Sequence, residues 1–202
     1  MFVKFIAVSA FYILLSAFAS ASDLAIQVRD ELNLARTAPQ QYAQLLASRI
    51  AGYQGIEGES AIREAVHFLE KARPLPPLVL SDGICSSALT HVLELGPSGG
   101  RGHVGSGGSM PWDRMARFGQ WTGHAGENIY YGQRDARGIV IALIVDDGER
   151  SRGHRKNIFS RDFHYTGIAC GPHASFGMMC VIDFAGGFVE GGTRLAHPVA
   201  SL

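Results

Sequence analysis

The sequence lacks an excess of charge of either sign: 18 Lys and Arg face 18 Asp and Glu over 202 residues. Nothing global therefore draws the chain to DNA, RNA or an anionic membrane surface, and no nucleic-acid partner is expected. Charged residues are also few, at 18%, while 47% of residues are apolar, a balance that excludes disorder and can build a real core. Only three cysteines occur, and they spell no zinc finger. There is no His-Glu-x-x-His helix and no Cys-x-x-Cys pair, so a metal site would have to collect its ligands from distant loops. Beyond residue 21 no apolar run approaches the ~20 residues that span a bilayer. Glycine is scarce early and abundant late, with 21 of 25 lying between Gly96 and Gly192.

What is present begins with a leader. Lys4 precedes an apolar core of eleven residues, Phe5 to Leu15, and Ala19-Ser20-Ala21 offers small residues where a signal peptidase reads. Residues 1–21 are thus expected to be a signal peptide, removed after Ala21, and the protein is expected to be secreted or periplasmic, with no integral membrane association once the leader is gone. Export permits a disulfide. Cys170 and Cys180 flank Gly171-Pro172-His173-Ala174-Ser175, a turn-like stretch between two segments rich in β-formers, so a hairpin should join them. Closing that short loop contributes ~3 kcal/mol in the chain-entropy model. Cys85, at helical spacing with Ala88, Leu89 and Val92, reads as a buried free thiol.

Four helices are expected before residue 100. Asp23 caps the first, with Leu24, Val28, Leu32 and Ala35 on one face; Thr37 and Pro39 open the second; Ser60 to Arg73 forms the third; Ser81 caps a fourth that runs to about Leu95. A long loop, Gly96 to Met110, leads into a short helix at Pro111, and another helix runs from Asp135 to about Asp146. The strands expected are Tyr165 to Cys170 and Phe176 to Phe184, where alternation puts Asp183 on the opposite face from Cys180, Ile182 and Phe184. No linker divides residues 22–190, which should form one domain sharing one core, with 191–202 an exposed tail. The helices before residue 100 are expected to supply one cover of the sheet, and the Asp135 helix to help supply the other.

Four polar patches carry the candidate chemistry: Gly102-His103-Val104-Gly105, Gly126-Glu127-Asn128-Ile129, Asp146-Asp147, and Gly153-His154-Arg155-Lys156-Asn157-Ile158. Each sets an imidazole or carboxylate beside a glycine or an element end, where it can be aimed into a cleft. Gly96-Pro97-Ser98-Gly99-Gly100 formally fits a nucleophile elbow, but a helix precedes it and a loop follows, the reverse of what the elbow needs.

Taken in order, together with Asn33-x-x-Arg36-x-x-Pro39, these patches resemble the CAP superfamily of cysteine-rich secretory proteins, antigen 5 and pathogenesis-related class 1 proteins, in its secreted bacterial branch. The resemblance implies an α+β fold of the CAP type, an α-β-α sandwich with a small, mainly antiparallel sheet between helical layers. It also implies a cavity tetrad of two histidines and two acids that holds a divalent metal such as zinc in some members. His103 and His154 match the histidine positions, as metal ligands, and Glu127 matches one acid. The other acid falls on Asp146 by counting from Leu143, with Asp147 as the alternative. Glu127 and Asp146 would orient water or act as base. The function implied is binding of an extracellular ligand, lipid or partner protein, with a metal-dependent hydrolase as the alternative. A purely structural ion-paired cluster is the third possibility.

Overall fold

The computed structural model describes residues 21–192. The expected leader, apart from Ala21, and the expected tail beyond Gly192 lie outside the described residues. The elements in chain order are α1 (residues 21–37), α2 (Pro39–Ala47), α3 (Glu59–Lys71), β1 (Val79–Leu80), α4 (Asp82–Leu95), α5 (Pro111–Met115), β2 (Gly119–Tyr131), α6 (Ala136–Val145), α7 (Gly153–Ile158), β3 (Tyr165–His173) and β4 (Gly177–Glu190). The sheet order is β1-β3-β4-β2, with β1 parallel to β3 and the other pairs antiparallel. This is the α+β sandwich that the sequence implies, with helices on both faces of a small sheet. Among the described residues no helix is long and apolar enough to cross a membrane.

Local chemistry sets the helix ends. Ser81 accepts from the Ile84 amide as N-cap of α4, and Asp135 accepts from Gly138 as N-cap of α6. Pro39 sits in the first turn of α2, where its missing N–H costs nothing. Asp23 lies inside α1 rather than capping it, since α1 is already helical at residue 21. Thr37 ends α1, its hydroxyl donating to the Asn33 carbonyl at 2.7 Å, instead of opening α2.

The alternation of β4 divides the core. Cys180, Ile182 and Phe184 join one cluster with Val28 and Leu32 of α1, Tyr42 and Leu46 of α2, Ile62 and Leu69 of α3, and Ile139 and Ile144 of α6. Met179 and Val181 face the other way, onto Ala88 and Val92 of α4, and Ala185 packs with Ile84 and Met115. The helices therefore divide differently from the expectation. α1 to α3 share a face with the Asp135 helix, and α4 alone crosses to the other with α5. Its small residues explain the crossing: Gly83, Ser86, Ser87 and Ala88 bring α4 so close that a Cβ on Gly167 of β3 would collide with the α4 backbone at Ile84 and Cys85.

The hairpin forms as expected. Cys170 and Cys180 are register partners of β3 and β4 and are joined by a disulfide, while Cys85 is free and buried. Burial pushes the Cys85 thiol up to about 11, which makes it inert at neutral pH. β2 was not among the expected strands. It pairs along β4 from Gly119 to Tyr131, with a register shift between Thr122 and Ala125.

Candidate functional site

Two histidine–carboxylate pairs form around β2. Glu127 points to the α4 side, and Asn128, next in the strand, faces α7. His103 sits in the loop between α4 and α5, whose path is held by side chains from four elements. His91 and His173 bond the carbonyls of Gly102 and Gly100 at 2.9 and 2.8 Å, and the Tyr131 hydroxyl accepts from the Gly102 amide at 2.9 Å. Glu94 accepts from the Ser106 amide, and Arg114 donates to the carbonyls of His103 and Ser109. Gly102 has φ +94°, a conformation open to glycine, and this turn delivers the His103 ring to Glu127.

The acceptor carbonyls fix two tautomers. His91 must donate from Nε2 to Gly102, so its buried Nδ1 is a bare acceptor, and burial lowers its pKa. His173 donates from Nε2 to Gly100 and accepts at Nδ1 from the amides of Ser175 and Phe176. It thus bolts the hairpin to the loop.

His103 Nδ1 donates to Glu127 Oε1 at 2.7 Å, and Arg114 Nη2 donates to Glu127 Oε2 at 2.6 Å. The carboxylate is 1% exposed and the guanidinium 0%, while the His103 ring is 47% exposed. Glu127 is thereby committed on both oxygens. Beside it lies Asp183, its register partner on β4, fully buried, with Oδ2 accepting from Ser87 at 2.7 Å. Burial first, then the Glu127 charge, push the Asp183 carboxyl well above the usual carboxylate range, against the opposing pull of Ser87 and Arg114. Five buried side-chain polar atoms among the described residues have no hydrogen-bond partner, and four of them belong to His91, Ser109, Arg114 and Asp183 in this one cluster. Such a concentration is unusual for a region that serves packing alone.

The second pair is local. α6 ends at Asp146, which takes the left-handed conformation with φ 55°. That turn aims its carboxylate at the start of α7, where Oδ2 accepts from the His154 amide at 2.8 Å and Oδ1 from His154 Nδ1 at 2.6 Å. Of the two candidate acids it is Asp146 that meets His154. Asp147 turns the other way and accepts from the amides of Ile56 and Glu57.

The motif residues that touch no imidazole hold the frame. Asn128 donates to the His154 carbonyl at 3.0 Å, and Asn157 donates back to Asn128 Oδ1 at 2.9 Å and to the Glu127 carbonyl at 3.3 Å. Arg155 donates to the carbonyls of Ile144 and Val145 at the end of α6. Arg36, 2% exposed, donates to carbonyls of Pro76, Ile158, Ser160 and Phe163, and burial lowers its pKa to about 10. Asn33 pairs with the amide and carbonyl of Leu78.

Each expected site residue thus falls into a pair: His103 with Glu127, His154 with Asp146. The carboxylates face the Nδ1 atoms of the rings, and Nε2 of neither ring is engaged among the described residues. No group of three or more His, Cys, Asp or Glu side chains that could hold a metal ion occurs among the described residues. Two imidazoles, each with Nδ1 on a carboxylate and Nε2 left over, are donors of the kind a divalent metal takes. Arg114 and Asp183 were missed as site residues. Asp183 carried a signal, a carboxylate on an otherwise apolar strand; Arg114 carried none.

The model of the cysteine-rich secretory protein (CAP) family matches residues 29–184, and the chain belongs to that family. A curated relative, the uncharacterized protein YkwD of Bacillus subtilis (strain 168), is 28% identical over 110 residues, 54% of this chain and 41% of that protein. The chain thus spans less than half the length of that relative. Among solved structures, an extracellular protein containing an SCP domain from Bacillus anthracis str. Ames matches 63% of this chain and 37% of its own, at 21% identity and a TM-score of 0.44. An outer surface protein from Borrelia burgdorferi matches 55% of this chain and 78% of its own, at 18% identity and a TM-score of 0.47.

Proposed function

We propose that this chain is a binding protein that works outside the cytoplasm, and that His103 and His154 hold a divalent metal, zinc foremost, reversibly. One observation carries the metal reading: both rings have Nδ1 fixed on a buried carboxylate and Nε2 left over, the arrangement that outer carboxylates impose on metal-ligating histidines. A metal there supplies a Lewis-acidic point for an oxygen-bearing ligand. Glu127 and Asp146 fix tautomer and ring orientation. The leader and the Cys170–Cys180 bridge favour an oxidising, secreted or periplasmic setting. The partner class is an extracellular ligand or protein, or a lipid.

The geometry favours binding over hydrolysis. Glu127 is nearly sealed from solvent and both its oxygens already accept hydrogen bonds, so it is poorly placed to take a proton from water.

Zinc calorimetry on the wild type, His103→Ala and His154→Ala tests the reading. Ligating imidazoles must be neutral, and an ordinary histidine protonates near ~6.5, so affinity should fall between about pH 7.5 and about pH 5.5. Each single variant should lose most of the binding. Equal weak binding by all three proteins at both pH values would mean that the pairs are structural. A broad hydrolase and lipid-binding screen of the zinc-loaded protein then separates binding from turnover, and metal-dependent hydrolysis would overturn the binding reading.

A further inference from the structure

We propose that Asp183 carries a proton on Oδ1 and donates it to Glu127, making Asp183 a positioning residue that holds Glu127, and through it His103, in place. The two acids are register partners across β2 and β4, so their side chains leave the same face of the sheet from Cβ atoms about 4.5–5.5 Å apart. Asp183 Oδ2 accepts from Ser87, whereas Oδ1 is buried with no donor to receive. An ionised carboxylate only accepts, so two ionised acids here would face each other with nothing between them. A proton on Oδ1 turns that orphan into a donor, with Glu127 as its acceptor.

Charge balance points the same way. The groups facing Asp183 are Cys85 and Ser87 from α4, Arg114 from α5 and Glu127 from β2. β3 contributes the Thr166 hydroxyl, which donates to the Asp183 backbone carbonyl at 2.8 Å, and Gly167. Arg114 supplies the guanidinium of this cluster, and its Nη2 is on Glu127. Two carboxylates against it would bury a net negative charge; one proton removes it. The proton belongs on Asp183 because Glu127 accepts from a guanidinium and an imidazole, and Asp183 only from a hydroxyl.

Infrared spectroscopy of the purified protein at about pH 7.5, well above the ordinary Asp range, reads the proton directly. The carbonyl stretch of a protonated carboxyl should be present, shift on 13C labelling of aspartate, and vanish in Asp183→Asn. Absence of the band, or a shift on labelling glutamate instead, overturns the assignment, and the wild type alone decides this.

Stability gives an independent reading. A carboxyl whose folded pKa is raised contributes stability that is fully present below its unfolded pKa and is lost as pH rises through the folded value. Asp183→Asn keeps a donor toward Glu127 and an acceptor for Ser87 but does not titrate. Its urea midpoint should exceed the wild-type value at about pH 7.5, and the gap should close toward about pH 4.5. A midpoint below wild type at every pH, or failure of this variant to fold, refutes the neutral-donor role. For positioning, the slowly exchanging His103 Nδ1 proton in 15N-resolved NMR should be lost in Asp183→Ala and restored in Asp183→Asn. Its persistence in Asp183→Ala would show that Glu127 needs no such support.

Discussion

The two histidine–carboxylate pairs look alike in their contacts and are built by opposite means. His154 and Asp146 are eight residues apart and depend on backbone: a left-handed turn ends one helix, and the carboxylate reaches an amide at the start of the next. His103 and Glu127 depend on side chains from α4, α5, β2 and β3 that hold a glycine-rich loop against the sheet. The first pair can form wherever α6 and α7 form. The second exists only when α4, α5 and the sheet are assembled. A short-range site tolerates loss of its neighbours better than a long-range one, and the two pairs should therefore fail differently.

The largest effect should come from Arg114→Met. It leaves Glu127 buried without its cation, a change that typically costs about 3–5 kcal/mol, and urea unfolding should show it while the His154 ring signal in the folded fraction stays unchanged. A smaller loss, about 2 kcal/mol, is expected for Asp146→Ala, which removes a charge-assisted bond to the His154 amide and puts alanine at φ 55°. Asp146→Asn should recover much of it, because asparagine accepts an amide hydrogen and tolerates the left-handed turn. If Asp146→Ala also disorders the His103 loop, the two pairs are not independent.

The smallest effect is a pH slope confined to the long-range pair. Burial holds the His91 pKa below its ordinary value, so the unfolded chain takes up the proton first as pH falls. The stability associated with neutral His91 is present above about 6.5 and is lost as pH drops through the folded value. His91→Gln, which keeps a donor for the Gly102 carbonyl, should flatten the urea midpoint over that range. An unchanged slope would place the acid sensitivity elsewhere.

The sequence revealed these regions unequally, for the same physical reason. Helix periodicity and caps are local, so α4 to Leu95, the helix at Asp135, the hairpin disulfide and the buried Cys85 could all be read directly. The count to Asp146 came from the family pattern, and the residue it reached ends α6 and meets His154. β2 was illegible as a strand: its glycines, Thr122, His124, Glu127 and Asn128 break the apolar alternation, and only pairing with β4 makes it one. The side of the sheet taken by α4 was hidden too, since it depends on a close approach at Gly167. Arg114 reads as a surface residue of a five-residue helix. Only the assembled loop and sheet bury it.

One consequence concerns the order in which the chain can become ordered. Among the described residues β4 is the last strand, it lies between β3 and β2, and β2 has no other sheet partner. A nascent chain that has not yet reached residue 177 can make helices but only the two-residue pairing of β1 with β3. The Glu127 carboxylate cannot be buried until Asp183 has been synthesised. Without β4 neither β2 nor the length of β3 has a partner, so the growing chain should stay open and threadable until that strand is made. Completion of the central strand is then the event that converts a string of helices into a protein with a site.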